Sequence, residues 1–476
     1  MMMPNRCNTE PLDFRPITPE AKKSIQAISL KAGLRNCNCT FANLVAWQPV
    51  FDSHYCIVED AVVLRYHIWS TSAYMIISAD GIPGWLTDKL FLDAARCGES
   101  LTITALEDDR ASALAARYGA TATVESMRNS CDYIYLREEL EALAGKNLKA
   151  KRNHCNRFIA EHPDFEYREL SPALSDECMA LAQLWHDESE HENPEYGDTM
   201  SEEMNVLRRF FAHWDELGMI GGSIFVEGRM VAFTLGAAVT DDTFDVCIEK
   251  ADRFVNGAFS IINQQFVKHL PPQFVYINRE EDMGLAGLRK AKLSYHPHQL
   301  LSYNIVSIRT ARLERCTESD SGLTVDWITR QYNFDRKEVM AWVENLHFNW
   351  MMSVKAVDMD GQVVGLLNMS DYRIEEETEQ VLKDKPALAE AMGRLKSIAV
   401  FSFIVADSFR HTPLNHLMFS DLEPDLGGYD FVFVPVMHHL KTHRYWQRRG
   451  AREVYRDTQS VYYIIPLSPA AEAIVD

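Results

Sequence analysis

Two charged stretches of this chain could do chemistry. Arg279-Glu280-Glu281-Asp282 sets three carboxylates in a row behind a cation, and Arg289, Lys290 and Lys292 follow closely. Carboxylates this close repel one another, which raises the pKa of at least one. A raised carboxylate suits a general base that takes a proton from an amine or a hydroxyl. The cations beside it could hold a phosphate or a carboxylate. The plainer reading is a charged loop opening a helix, where the helix dipole favours acids. The second stretch packs Lys146, Lys149, Lys151, Arg152 and Arg157 around Asn147, Asn153, His154 and Asn156. Cations at this density on a helix make an anion site, and the Asn amides add neutral donors. Its plainer reading is a solvated helix face paired with the acidic residues just before it.

The elements around these stretches have a recognisable order. FDVCIEKA (244–251) alternates like a half-buried strand, and Gly257 marks a turn. AFSIINQQFVKHL has helical spacing until Pro271 and Pro272 stop it, and FVYIN is a short strand running into the acidic run. Strand, turn, helix and strand in this order build a site at the open end of a sheet. A hairpin recurs three times: HYCIVEDAVVLRYHI (54–68), SIFVEGRMVAFTLGAAV (223–239) and SVKAVDMDGQVVGLLNM (353–369). Each has turn residues at its tip and an aromatic-bearing helical segment before it. Three α/β domains follow, at 1–145, 146–308 and 309–476, with CDYIYL (131–136) closing the first and QLLSYNIVSI (299–308) the second.

Length agrees, since 476 residues at about 150 per domain also give three. Apolar content of 47% and charged content of 24% are those of a globular protein. A net charge of -20 argues against general coating of nucleic acid or anionic membrane, though not against a local basic patch. The N-terminus lacks the apolar run of a signal peptide, and no stretch is long enough to span a membrane, so a cytoplasmic protein is expected. The ten cysteines are scattered and read as free thiols. His186 with His191, and His439 with His443, lack a third ligand, so no metal site is expected. No Gly-x-Ser-x-Gly, P-loop or dinucleotide fingerprint occurs.

YLREELEALAGKNLKAKRNHCNRF, IEKAD…GAFSIINQQF and YINREEDMGLAGLRKAKLSYHP closely resemble the family named after the C-terminal catalytic region of phosphatidylglycerol lysyltransferase. The resemblance runs from about Phe14 to Ser307. It implies two GNAT-like (acyl-CoA N-acyltransferase) folds in tandem, the first degenerate and the second bearing the site. It also implies aminoacyl transfer from a charged tRNA, with no further cofactor required. On that basis Lys146, Lys149, Lys151, Arg152, Asn153 and Asn156 would contact the donor's phosphates. Arg279, Glu280, Glu281, Asp282, Arg289, Lys290 and Lys292 would line the reaction site, with the acids as catalytic groups. The namesake's multi-span membrane half has no counterpart in this sequence, which leaves the acceptor open between a lipid head group and a small molecule.

The last domain is similar to ordinary GNAT acetyltransferases, more loosely. Their Arg/Gln-x-x-Gly-x-Gly/Ala loop cradles the coenzyme A pyrophosphate with backbone amides. Here it reads Arg410-His411-Thr412-Pro413-Leu414-Asn415, with Pro413 removing an amide. Trp446 stands where the family has a Tyr, with Tyr445 beside it. Arg410, Thr412, Asn415 and Tyr445 are therefore the residues expected at an acetyl-CoA site. Acyl transfer to an amine or hydroxyl is the expected function. Acetyl-CoA-dependent N-acetyl transfer is the first alternative, and a binding module that keeps the fold without the chemistry is the second.

Overall fold

The computed structural model describes residues 12–68, 71–192, 197–345, 348–371, 382 and 384–475. Its strands form three seven-stranded sheets. The first runs, edge to edge, Arg15–Pro16, His54–Val58, Ala61–Ile68, Thr71–Ser78, Leu101–Leu106, Asn304–Ile308 and Ala122–Ser126. The second runs Glu166–Glu169, Ile220–Val226, Arg229–Ala238, Thr243–Ala251, Tyr276–Asn278, Asp132–Leu136 and Gln299–Leu301. The third runs Ala311–Arg315, Val354–Asp358, Val363–Ser370, Ser397–Val405, Phe431–Met437, Ser460–Pro466 and Arg452–Arg456. In each, neighbouring strands are antiparallel up to the fourth, which then pairs parallel with the fifth. All three hairpins read from the sequence are present, and their turn chemistry explains them. Glu227 and Gly228 take φ of 52° and 77°, the left-handed pair of a two-residue hairpin turn.

The first two sheets trade a strand. Asp132–Leu136, expected to close the first domain, lies in the second sheet between Tyr276–Asn278 and Gln299–Leu301. Asn304–Ile308, expected to close the second, lies in the first sheet. A cut at 145 therefore divides the chain but not the first two sheets, whereas the third sheet lies wholly beyond 308. The exchange has a packing counterpart. One core joins Phe41, Val62, Leu64 and Ile77 to Phe210, Phe233 and Leu235. The other face of the second sheet packs Tyr133, Tyr135 and Ile277 on Phe158, Ile261 and Phe266. By contacts the chain forms two compact units, one carrying the first two sheets through Ser307. The other runs from Ile308 and takes in Trp85–Leu101 and Arg117–Ala122.

In the second unit, Arg449 donates to the backbone oxygen of His416 at 2.9 Å and also to its ring Nδ1. Only a neutral ring accepts that bond. Burial and the Arg449 charge lower the His416 pKa to about 4. The unfolded chain then binds the extra proton between pH 6.5 and 4, so stability is full above 6.5 and falls as pH drops through that window. After screening, about 2 kcal/mol is at stake. Thermal unfolding of His416→Gln is expected to show a flatter acid limb than the parent chain.

Candidate functional site

The fourth strand of the second sheet carries a one-residue bulge. Leu235 pairs with Ile248 but Gly236 pairs with Val246, so Cys247 is the extra residue and leaves the ladder. Gly236 is required opposite it, because a Cβ there would lie 1.8 Å from the Asp245 carbonyl oxygen. Gly236→Ala is expected to cost about 1–3 kcal/mol and to distort the bulge, read as a lower unfolding midpoint together with lost activity. The third sheet has the same bulge, with Asn368 facing Ser402, Met369 facing Val400, and Phe401 extra. In the first sheet the described pairing of Ala61–Ile68 with Thr71–Ser78 has no such break. Parallel pairing with the fifth strand ends at Asp245 and Asn278. Cys247 and Glu249 then stand on one side of the opening, and Arg279 and Glu280 on the other.

A cationic chain crosses this opening. Arg279 donates to Glu249 at 2.7 Å, and both side chains are about nine-tenths buried (12% and 11% exposed). The Arg279 guanidinium and the Lys151 ammonium both lie over the Tyr295 ring, at 4.9 and 4.1 Å. Lys151 is here because of helical spacing. It shares a face of Lys149–Glu161 with buried Cys155 and Phe158, at i+4 and i+7. Gly257, at φ 85°, lets the following helix approach, since a Cβ there would lie 2.6 Å from the His154 carbonyl oxygen. Burial and the neighbouring Arg279 lower the Lys151 pKa to about 8.

Behind the bulge lies a cluster that the sequence left scattered. Asp132 and Asp245 are fully buried, and Glu280 and Glu281 half-buried, with Cys37, Asn43 and Cys247 among them. Burial, then the Glu281 charge, raises Asp132 to about 6. Burial raises Asp245 to about 8, with Asp132 and Glu281 adding to it against the Thr40 hydrogen bond. Burial and the charges of Asp245 and Glu281 push Glu280 well up. Glu280 has a left-handed backbone, φ 55°, and its Oε1 accepts from Asn43 at 2.9 Å. Among the described residues two trios bring ligand-type atoms within 4.8 Å of one another, Cys37–Asp132–Glu281 and Asp245–Cys247–Glu280. Tyr303 donates to Asp132 at 3.4 Å and also lines a small pocket with Asn36, Cys39, Glu107 and Arg110.

The expected site residues thus divide. Glu280 and Glu281 join the cluster, and Arg279 and Lys151 the cationic chain. Asp282 does not act as a base. It is buried, takes two bonds from Arg289 (2.7 and 2.8 Å), one from Tyr133 at 2.6 Å and one from Arg128 at 3.1 Å. The Arg289 guanidinium holds its carboxyl well below the usual range, so Asp282 and Arg289 are struts. Lys292 is buried and donates to the backbone oxygens of Arg279 and Glu281. Arg152 is turned back onto the carbonyls of Leu143 and Gly145, a helix-end staple and not a phosphate contact. Lys146, Lys149, Asn153, Asn156 and Lys290 are exposed. Sequence reasoning missed Cys37, Asn43, Asp132 and Asp245. Asp132 and Asp245 each had a local signal, a carboxylate set in an apolar strand.

In the third domain the strands diverge beyond Ala399 and Phe433, around a small pocket lined by Phe401, Ser402, Val434 and Trp446. The residues expected to grip coenzyme A are otherwise engaged. Arg410 pairs with Asp407 at 2.6 Å, Thr412 accepts from Leu414 N–H at 3.3 Å, and Asn415 accepts from His416 N–H at 2.7 Å. Tyr445 donates to the Asn415 carbonyl at 3.0 Å. His443 bonds Tyr463 and the Met437 carbonyl. The side chains of His186 and His191 lie outside the described residues.

Four antiparallel strands followed by a parallel step, the GNAT type of acyltransferase fold, are present three times, with the bulge beside the opening in the second and third sheets. The chain belongs to the family described as phosphatidylglycerol lysyltransferase, C-terminal, which matches residues 32–306. A conserved protein of unknown function from Bacteroides thetaiotaomicron is 34% identical, with a TM-score of 0.60 over 62% of this chain and 99% of that one. The structure of L-PGS from Bacillus licheniformis is 12% identical, with a TM-score of 0.44 over 68% of this chain and 98% of that one. An uncharacterized protein of Mycoplasmoides gallisepticum is 18% identical over 181 residues, 38% of this chain. The match spans 57% of the length of that curated relative. No helix among the described residues is long and apolar enough to cross a membrane.

Proposed function

We propose that the second domain transfers an aminoacyl group from a charged tRNA to an amine or hydroxyl acceptor, a small molecule or a lipid head group, in the cytoplasm. The observation that carries this reading is the arrival of Lys151, from the basic helix, at the opening that holds Arg279, Glu249 and the bulge. The bulge N–H of Cys247 is the oxyanion donor. Glu280 takes the proton of the attacking nitrogen or oxygen as its bond to the acyl carbon forms. The ester C–O bond breaks, and Lys151 gives its proton to the leaving ribose oxygen. Exposed Lys146 and Lys149 meet the tRNA backbone without structural duties of their own. Binding of charged tRNA to Lys146→Glu/Lys149→Glu is expected to weaken at least tenfold with a shallower salt slope. Unchanged affinity and slope in that variant would remove the tRNA reading.

A second reading has its own support. The cavity beside the Phe401 bulge is where a coenzyme A thioester would lie if the third domain acetylates. Calorimetry with acetyl-CoA tests it: heat that is lost in Arg410→Glu favours it, and absence of heat in the parent chain ends it.

A further inference from the structure

We propose that Cys37, Asp132 and Glu281 bind a divalent transition metal of the zinc class, with Asp245 in the buried acidic shell beside them. The hydrogen bonding points there. Asp132 Oδ2 accepts from Cys37 N–H at 2.8 Å, Asn278 at 2.8 Å and Tyr303 at 3.4 Å, while among the described residues Oδ1 meets the Cys37 thiol alone, at 3.2 Å. Asp245 repeats the pattern. Its Oδ2 accepts from Thr40 at 2.7 Å and Asn43 at 3.1 Å, and Oδ1 is buried without a hydrogen-bond partner. Asp132 and Glu281 are the charges that bear on it most. Each aspartate thus has one oxygen clamped by neutral donors and the other turned inward with no hydroxyl or amide to meet it. Outer-shell donors orient metal-binding carboxylates in this way. The spacing fits as well. Bond lengths of a tetrahedral zinc put sulfur and oxygen about 3.5 Å apart. Cys37 Sγ lies 3.2 Å from Asp132 Oδ1 and 3.5 Å from Glu281 Oε2.

Neighbouring cations do not fill the role. Lys292 spends its ammonium on two backbone carbonyls, and Arg279 is paired with Glu249. A bound alkylammonium would meet a thiol, a poor acceptor, where an ion of zinc type gains a thiolate ligand and releases its proton. The proposal is independent of what the neighbouring centre acylates.

Titration of the chelator-treated full chain with Co²⁺, under reducing conditions, tests it. One equivalent should give a sulfur-to-cobalt charge-transfer band that Zn²⁺ displaces. Cys37→Ser should lose the band, and Asp132→Asn should weaken binding at least tenfold. A parent chain that is folded by circular dichroism and gives no band overturns the proposal, as does a band that persists in Cys37→Ser. The parent-chain titration decides even if a variant fails to fold, and it reads no activity, so its failure is distinct from failure of the transferase reading.

Discussion

Glu280→Gln is expected to lower acyl transfer by about 10²- to 10⁴-fold, the usual range for loss of a general base, in a chain that still folds. The substitution keeps shape and keeps the acceptor oxygen for Asn43. It removes the one thing the proposal needs from this side chain, a lone pair that takes a proton. Stability should move the other way. The folded pKa of Glu280 lies above its unfolded value, because burial and the charges of Asp245 and Glu281 oppose ionisation. Folded chain therefore binds the proton more tightly, and its stability falls as pH rises above the ordinary carboxyl range. Gln cannot ionise, so in the chelator-treated chain the variant should unfold at a higher temperature than the parent at pH 8, and the two should converge near pH 4. Parallel loss of rate and gain of stability at pH 8 identifies a strained functional group. Equal loss of both would mark Glu280 as structural, and an unchanged rate would remove it from the mechanism.

The sequence was a good guide where the determinants are local. Glu227-Gly228 and Asp360-Gly361 fix hairpins through backbone conformations that a few residues impose, so the threefold repeat and the mixed sheets could be read directly. Lys151 could have been singled out among its basic neighbours, because it alone falls on the stripe of Cys155 and Phe158. The strand exchange could not. Asp132–Leu136 has the same alternating pattern whichever sheet receives it, and its partners lie well over a hundred residues away. The acidic run shows the same limit. Glu280, Glu281 and Asp282 are alike in the sequence, yet one faces Asn43, one Cys37 and one a pair of arginines. Which of them can hold a proton is decided by Arg128, Asp132 and Asp245, brought from two other segments.

Asp282→Ala is expected to cost about 3 kcal/mol, the low end for breaking a buried ion pair. Asp282 is fully buried, but Arg128 and Arg289 are 43% and 32% exposed, so once freed they can partly regain water. The loss is still large, because the carboxylate ties three elements together. It receives Tyr133 from the exchanged strand, Arg289 from the helix Ala286–Leu293, and the N–H of Gly284 from its own turn. Sign and window follow from the depressed pKa. The folded carboxyl, held down chiefly by Arg289, ionises below the ordinary Asp range, so its contribution is present above about pH 4 and fades as pH falls below that. Urea unfolding of the parent and of Asp282→Asn should therefore differ most at pH 7 and draw together toward pH 2. Transfer by Asp282→Asn, assayed where the variant is folded, should retain a larger share of the parent rate than Glu280→Gln does, since the turn is loosened but the proton acceptor stays. A greater loss of rate in Asp282→Asn than in Glu280→Gln would reverse the roles assigned to these two neighbouring acids.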